Sequence, residues 1–109
     1  MNRFGMYGKV VAQAGQREAL VECLLEAGRL LAPLPGCELY IVNVASSEPD
    51  TVWVTEVWHS EADHDASLQL DSVKALIART RPLVAGFERI LLMPVGGKGL
   101  PAPEIAKSQ

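Results

Sequence analysis

Glu56, His59, Asp63, His64 and Asp65 are the side chains of this sequence most able to bind a metal or move a proton. They crowd into the single run TVWVTEVWHSEADHD, Thr51 to Asp65, which also holds both tryptophans and both histidines of the chain. Two chemistries are conceivable there. A metal centre would use the imidazoles and carboxylates together, whereas acid–base work needs one imidazole and one carboxylate held near a reacting group. The metal reading is disfavoured by spacing. His59 ends a strand pattern and His64 falls on the second turn of a helix pattern, so the two imidazoles lack the i, i+4 relation that places two ligands on one helical face. Asp63 and Asp65 read instead as early-turn acids that complement the positive end of a helix dipole.

The elements that position these residues follow from periodicity. Strand alternation puts Trp53, Thr55, Val57 and His59 on one face and Val52, Val54, Glu56 and Trp58 on the other. Ser60 followed by Glu61, Ala62 and Asp63 is a helix start, with a capping hydroxyl ahead of acidic residues. Upstream, FGMYGKVVA (Phe4 to Ala12) predicts a first strand, and Leu20, Cys23, Leu24, Ala27 and Leu31 form one apolar stripe of a helix that Pro33 and Pro35 stop. CELYIVNVAS from Cys37 predicts a second strand, joined through the polar loop SSEPD to the third in an antiparallel hairpin. Downstream, the second helix is expected to be interrupted at Asp71-Ser72, to resume through Val73, Leu76 and Ile77, and to end at Pro82. Leu83 to Pro94 predicts a fourth strand. The order β-α-β-β-α-β is the ferredoxin-like arrangement, an α+β fold with a four-stranded antiparallel sheet and two helices on one face. Residues 1–94 form this domain, and 95–109 have linker composition and are expected to lie against their own or a partner subunit.

Composition narrows the function classes. Apolar residues at 49% and charged ones at 21% of 109 residues describe a folding single domain. A net charge of −3 without a Lys/Arg run argues against a nucleic-acid surface. No segment reads as a secretion signal or membrane span, so a cytoplasmic protein without a membrane contact is expected. The two cysteines, Cys23 and Cys37, are expected to be free and buried. Apolar residues occur at both parities of the strands, so one sheet face would stay exposed in a monomer; a homodimer through the sheet faces would cover it.

Three groups of residues then carry a resemblance: Pro35-Gly36-Cys37 with Tyr40 at the second strand, Glu56-Val57-Trp58 ending the third, and Ser60-Glu61-Ala62-Asp63-His64 with Ser67-Leu68 on the following helix. In this order and spacing, across residues 3–94, the chain resembles the antibiotic biosynthesis monooxygenase domain family of dimeric α+β barrels. The resemblance implies a pocket between sheet and helices in which a quinol, anthrone or other polyphenolic aromatic is oxidised by dioxygen, with no metal, flavin or haem. A haem-degrading branch uses an asparagine on strand one and a tryptophan and a histidine on the second helix. Here those helix positions fall on Ser67 and Ile77 and strand one lacks the asparagine, which disfavours that branch.

Cofactor-free oxygenation requires a base, an apolar pocket and polar groups for the developing oxyanion. His64 is the candidate base, because imidazole titrates near neutrality; its structural alternative is a bond to a strand carbonyl or to Glu56. Glu56 is expected either to orient His64 or to pair with an arginine such as Arg3 or Arg89. Trp58 and Tyr40 are candidates for stacking on a planar substrate, and Arg79 or Arg81 for stabilising an anion. The competing expectation is a non-catalytic dimeric small-ligand-binding or stress-associated module on the same fold.

Overall fold

The computed structural model describes residues 2–100. The elements are β1 (Phe4–Ala12), α1 (Arg17–Leu31), β2 (Cys37–Val44), β3 (Thr51–Trp58), α2 (Glu61–Ser67), α3 (Asp71–Thr80) and β4 (Val84–Leu92), with a 3₁₀ turn at Arg81–Leu83 leading into β4. The strands form one antiparallel sheet in the order β2-β3-β1-β4. This is the ferredoxin-like α+β fold, with one difference from the sequence expectation: three helices, not two, cover the sheet.

The extra helix arises because the second helical segment breaks at Leu68–Leu70, just ahead of the expected Asp71-Ser72. Successive i→i−3 bonds from the amides of Leu68, Gln69 and Leu70 tighten and close α2, and Leu70 then turns extended before α3 begins. Packing supplies the reason. His64, Ser67 and Leu68 face the sheet side from α2; an unbroken helix would follow them with Asp71, Ala75 and Ala78. The break shifts the phase so that Val73 and Leu76 become buried instead.

Register fixes which residues share the helix-covered face. Three rows cross it: Tyr40, Glu56, Met6 and Leu91; Val42, Val54, Gly8 and Arg89; Val44, Val52, Val10 and Phe87. Two apolar clusters anchor the layers. One gathers Phe4, Met6, Leu31, Trp58 and Val73, the other Val10, Ala12, Leu20, Val52 and Val54. Each fully buried aliphatic side chain here contributes about 1.5–3 kcal/mol. Both cysteines are free, and they are half-buried rather than buried.

The opposite sheet face leaves Tyr7, Ile41, Ile90 and Leu92 exposed. Tyr7 stacks on Trp53 at 5.2 Å between ring centroids, and Lys9 lies over the same indole. Pro94 closes over β1 where Gly5 has no side chain: a Cβ there would meet the proline ring at 3.0 Å. Beyond it Val95 is 88% exposed and residues 95–100 form no strand or helix. The remainder of the expected tail, 101–109, lies outside the described residues. Among the described residues no helix is long and apolar enough to cross a membrane.

Candidate functional site

Between the two apolar clusters the sheet and the helices stand apart, leaving a cavity of about 520 Å³. Its floor is the helix-covered sheet face, and its roof is α1, α2 and α3. Gly8 lies on the floor. A side chain there would rise between Val54 and the Phe87 ring, whose nearest carbon is 3.5 Å from an ideal Cβ, so glycine keeps the floor flat and open.

At one end of the floor, Tyr40 and Glu56 are directly paired across β2 and β3. Glu56 Oε1 accepts a hydrogen bond of 3.0 Å from Trp58 Nε1, because residues i and i+2 of a strand share a face. Burial pushes the Glu56 carboxyl above the ordinary carboxylate range, an effect that the Trp58 bond and the nearby His64 and Arg89 partly offset. Burial, reinforced by the Glu56 charge, also pushes the Tyr40 phenol well above its usual value, which keeps it a protonated donor. The Cys37 thiol is raised by the same two causes in the same order.

His64 enters the cavity from α2. The helix begins at Ser60, whose hydroxyl accepts from the Asp63 amide at 3.1 Å, as the capping pattern of the sequence predicts. The imidazole is only 6% exposed and packs between Phe4, at 4.9 Å, and the edge of Trp58, at 5.5 Å. Its Nδ1 lies 3.1 Å from Asp65 Oδ1. A carboxylate there can only accept, which assigns a proton to Nδ1 and makes Nε2 the nitrogen that can accept one when the ring is neutral. Beneath it the Ser67 hydroxyl donates to the His64 carbonyl at 2.6 Å, fixing the turn that carries the ring.

The structure brings four of the sequence-derived candidates to the cavity: His64, Glu56, Tyr40 and Arg81. It does not bring the other two. Trp58 is 1% exposed and part of the core, so its contribution is the bond to Glu56 and not a stacking surface. Arg79 points away to α1, where it pairs with Glu26 at 2.6 Å. Two pairings also differ from expectation. Arg3 bonds Glu38 rather than Glu56, and Asp65, read from the sequence as a dipole acid, is the carboxylate that holds His64.

Residues that sequence reasoning left out of the pocket include Gly8, Phe87 and Arg89. Their signal was present only as strand parity. Which parity faces the helices is set by the β1–β4 register, which no local pattern in β4 encodes. Among the described residues, no group of three or more His, Cys, Asp or Glu side chains is arranged to hold a metal ion.

The chain matches the family model for antibiotic biosynthesis monooxygenase over residues 4–79. It is 43% identical to a candidate antibiotic biosynthesis monooxygenase from Chloroflexus aurantiacus, with a TM-score of 0.83 over 91% of this chain and 99% of that one. A candidate antibiotic biosynthesis monooxygenase from Caulobacter crescentus is 21% identical, with a TM-score of 0.80 over 87% of this chain and 92% of its own. A protein from Shewanella oneidensis, also 21% identical, superposes with a TM-score of 0.78 over 85% of this chain and 91% of its own. Those two share the fold alone. No curated protein matches the chain. With a family model spanning most of its length and a 43% identical relative covered almost end to end, this protein belongs to the antibiotic biosynthesis monooxygenase family.

Proposed function

We propose that this protein is a cofactor-independent monooxygenase that oxidises a quinol, anthrone or related polyphenolic aromatic with dioxygen. The observation that carries the reading is the pairing of an apolar cavity of about 520 Å³ with His64, Glu56 and the Tyr40 hydroxyl at one end. In such a site Nε2 of His64 removes a proton from the activated ring carbon or phenol. The Tyr40 hydroxyl hydrogen-bonds the oxygen on which charge develops. The substrate carbanion then supplies the electrons. For an anthrone, the ring CH₂ and O₂ become C=O and H₂O: one oxygen atom is retained, the other leaves as water, and the substrate provides all four electrons. A space filled by side chains would instead favour the non-catalytic ligand-binding module; the open cavity at His64 supports the enzyme.

Oxygen uptake with quinol and anthrone substrates, in the wild type and in His64→Ala, tests the reading. Turnover above the free-solution rate that depends on His64 is expected, and its absence across the panel rejects the enzyme.

The same reading includes a homodimer formed through the open sheet faces. The exposed Tyr7, Ile41, Ile90 and Leu92 on that face support it, since a contiguous apolar sheet surface is unfavourable in water. Light scattering at micromolar concentration should give twice the chain mass, and Ile90→Glu should halve it. A monomeric wild type would reject the dimer.

A further inference from the structure

The cavity lining holds cationic side chains that the reaction above does not use. Its lining contains two arginines, Arg81 in the 3₁₀ turn and Arg89 on β4, with the Phe87 ring between them in sequence and on the same face as Arg89. Most other arginines of the described chain have visible work: Arg3 pairs with Glu38, Arg17 donates to the carbonyls of Ala45 and Glu48, and Arg79 pairs with Glu26. Neither cavity arginine makes an ion pair among the described residues. The polar contact of Arg89 there is a weak one, Nη1 to Met6 Sδ at 3.6 Å. Met6 separates it from Glu56: the two lie on strands either side of β1 and in adjacent rows of the floor. From strand spacing and rise their Cα atoms are roughly 12 Å apart, and their charges interact across the floor.

A guanidinium at the exposed rim of an apolar cavity, with no carboxylate in ion-pair contact, can grip a planar anion through two parallel N–H donors. We propose that the substrate carries a carboxylate, attracted by the cavity-lining guanidiniums of Arg89 and Arg81, while its ring lies over Gly8 toward His64 and Glu56. The statement about the ring rests on the oxygenase reading; the anion contact stands on the cavity alone. A carboxylate fits better than a dianion, since the remaining lining is mostly aliphatic and aromatic.

The test is a matched pair of ligands measured anaerobically by calorimetry on the full chain: 1-hydroxy-2-naphthoate and its neutral amide, 1-hydroxy-2-naphthamide. The acid should bind roughly tenfold more tightly, the magnitude of one charge-assisted contact at a partly wet site. Arg89→Gln and Arg81→Gln should each erode that preference, and the double variant should abolish it without weakening the amide. Arg29→Gln, which removes an exposed guanidinium of α1 outside the cavity, should leave it intact. Arg89→Lys keeps the charge but loses the fork, and should retain only part of the preference. Equal binding of acid and amide by the wild type, failure of both to bind, or a preference that survives in the double variant each overturns the proposal. Oxygen uptake separates the two readings. An arginine-dependent acid preference without any His64-dependent turnover leaves this inference standing and rejects the oxygenase; turnover without the preference does the reverse.

Discussion

Trp58 Nε1 donates to Glu56 Oε1 at 3.0 Å, so the two ends of the Glu-x-Trp motif hold one another on the buried face of β3. The tryptophan is the buried partner and the glutamate the one that reaches the cavity. Replacing Trp58 by Phe removes the donor and some core volume while keeping an aromatic ring. We expect a loss of about 2–4 kcal/mol in urea unfolding. Because the indole bond favours the ionised carboxylate, the Glu56 pKa should rise further, visible as an upward shift of its side-chain carboxyl titration by NMR.

Glu56 itself gives a pH-dependent stability. Its carboxyl titrates above the ordinary 4.5 in the folded protein, chiefly through burial, so the native state binds this proton more tightly than the unfolded chain does. The stabilisation is complete below the unfolded value and is lost as pH rises through the folded one. Glu56→Gln mimics the protonated form at every pH. Unfolding curves from pH 4 to pH 8 should therefore place the variant level with the wild type at the acid end and increasingly above it toward pH 8. A constant difference across that range would contradict the assignment.

His64→Ala should lower turnover by about 10²–10⁴-fold, the range of a positioned proton acceptor. Added imidazole should restore part of it if the cavity admits the free ring. Asp65→Asn loses only the group that fixes the ring, so a fall in kcat of roughly tenfold with little change in KM is expected. Asp65 is solvent-exposed, and its contribution to stability should be under about 1 kcal/mol. A stability loss as large as the catalytic one would assign Asp65 to structure instead.

Gly8→Leu sets cavity against stability. An ideal Cβ at position 8 meets no backbone closer than the Val54 carbonyl oxygen at 3.9 Å, so a side chain can grow into the cavity without disturbing the sheet. Glycine within a strand costs about 0.5–1 kcal/mol relative to alanine, so the variant should unfold no more readily than the wild type. Binding of a naphthyl ligand should weaken at least roughly tenfold, since the floor is no longer flat. Unchanged affinity would show that the ligand does not lie on Gly8.

Strand alternation placed Glu56 and Trp58 on one face and Trp53 on the other, and the β1–β3 register has that division. Helix capping placed Ser60 and Asp63, and the bond between them is present. These succeed because period and caps are local, decided within a few residues by backbone geometry. The break between α2 and α3 lies between: LQL contains no glycine or proline, yet the apolar stripes on its two sides are out of phase, a signal legible only when both are laid on one helix.

The choice among partners was not local at all. Glu56 could have met His64, Arg3 or Arg89 on sequence grounds, and chain packing gave it Trp58 while giving His64 to Asp65 and Arg3 to Glu38. Arg79 and Arg81 differ by two residues and carry the same charge. The end of α3 turns one toward Glu26 on α1 and the 3₁₀ turn brings the other to the cavity wall. The sequence by itself determined the four strands and their order along the chain, which residues of a strand share a face, and the family resemblance. Tertiary structure alone decided which polar groups meet in the cavity, because hydrogen bonds and ion pairs reach only about 3–4 Å and depend on the register of strands far apart in the chain.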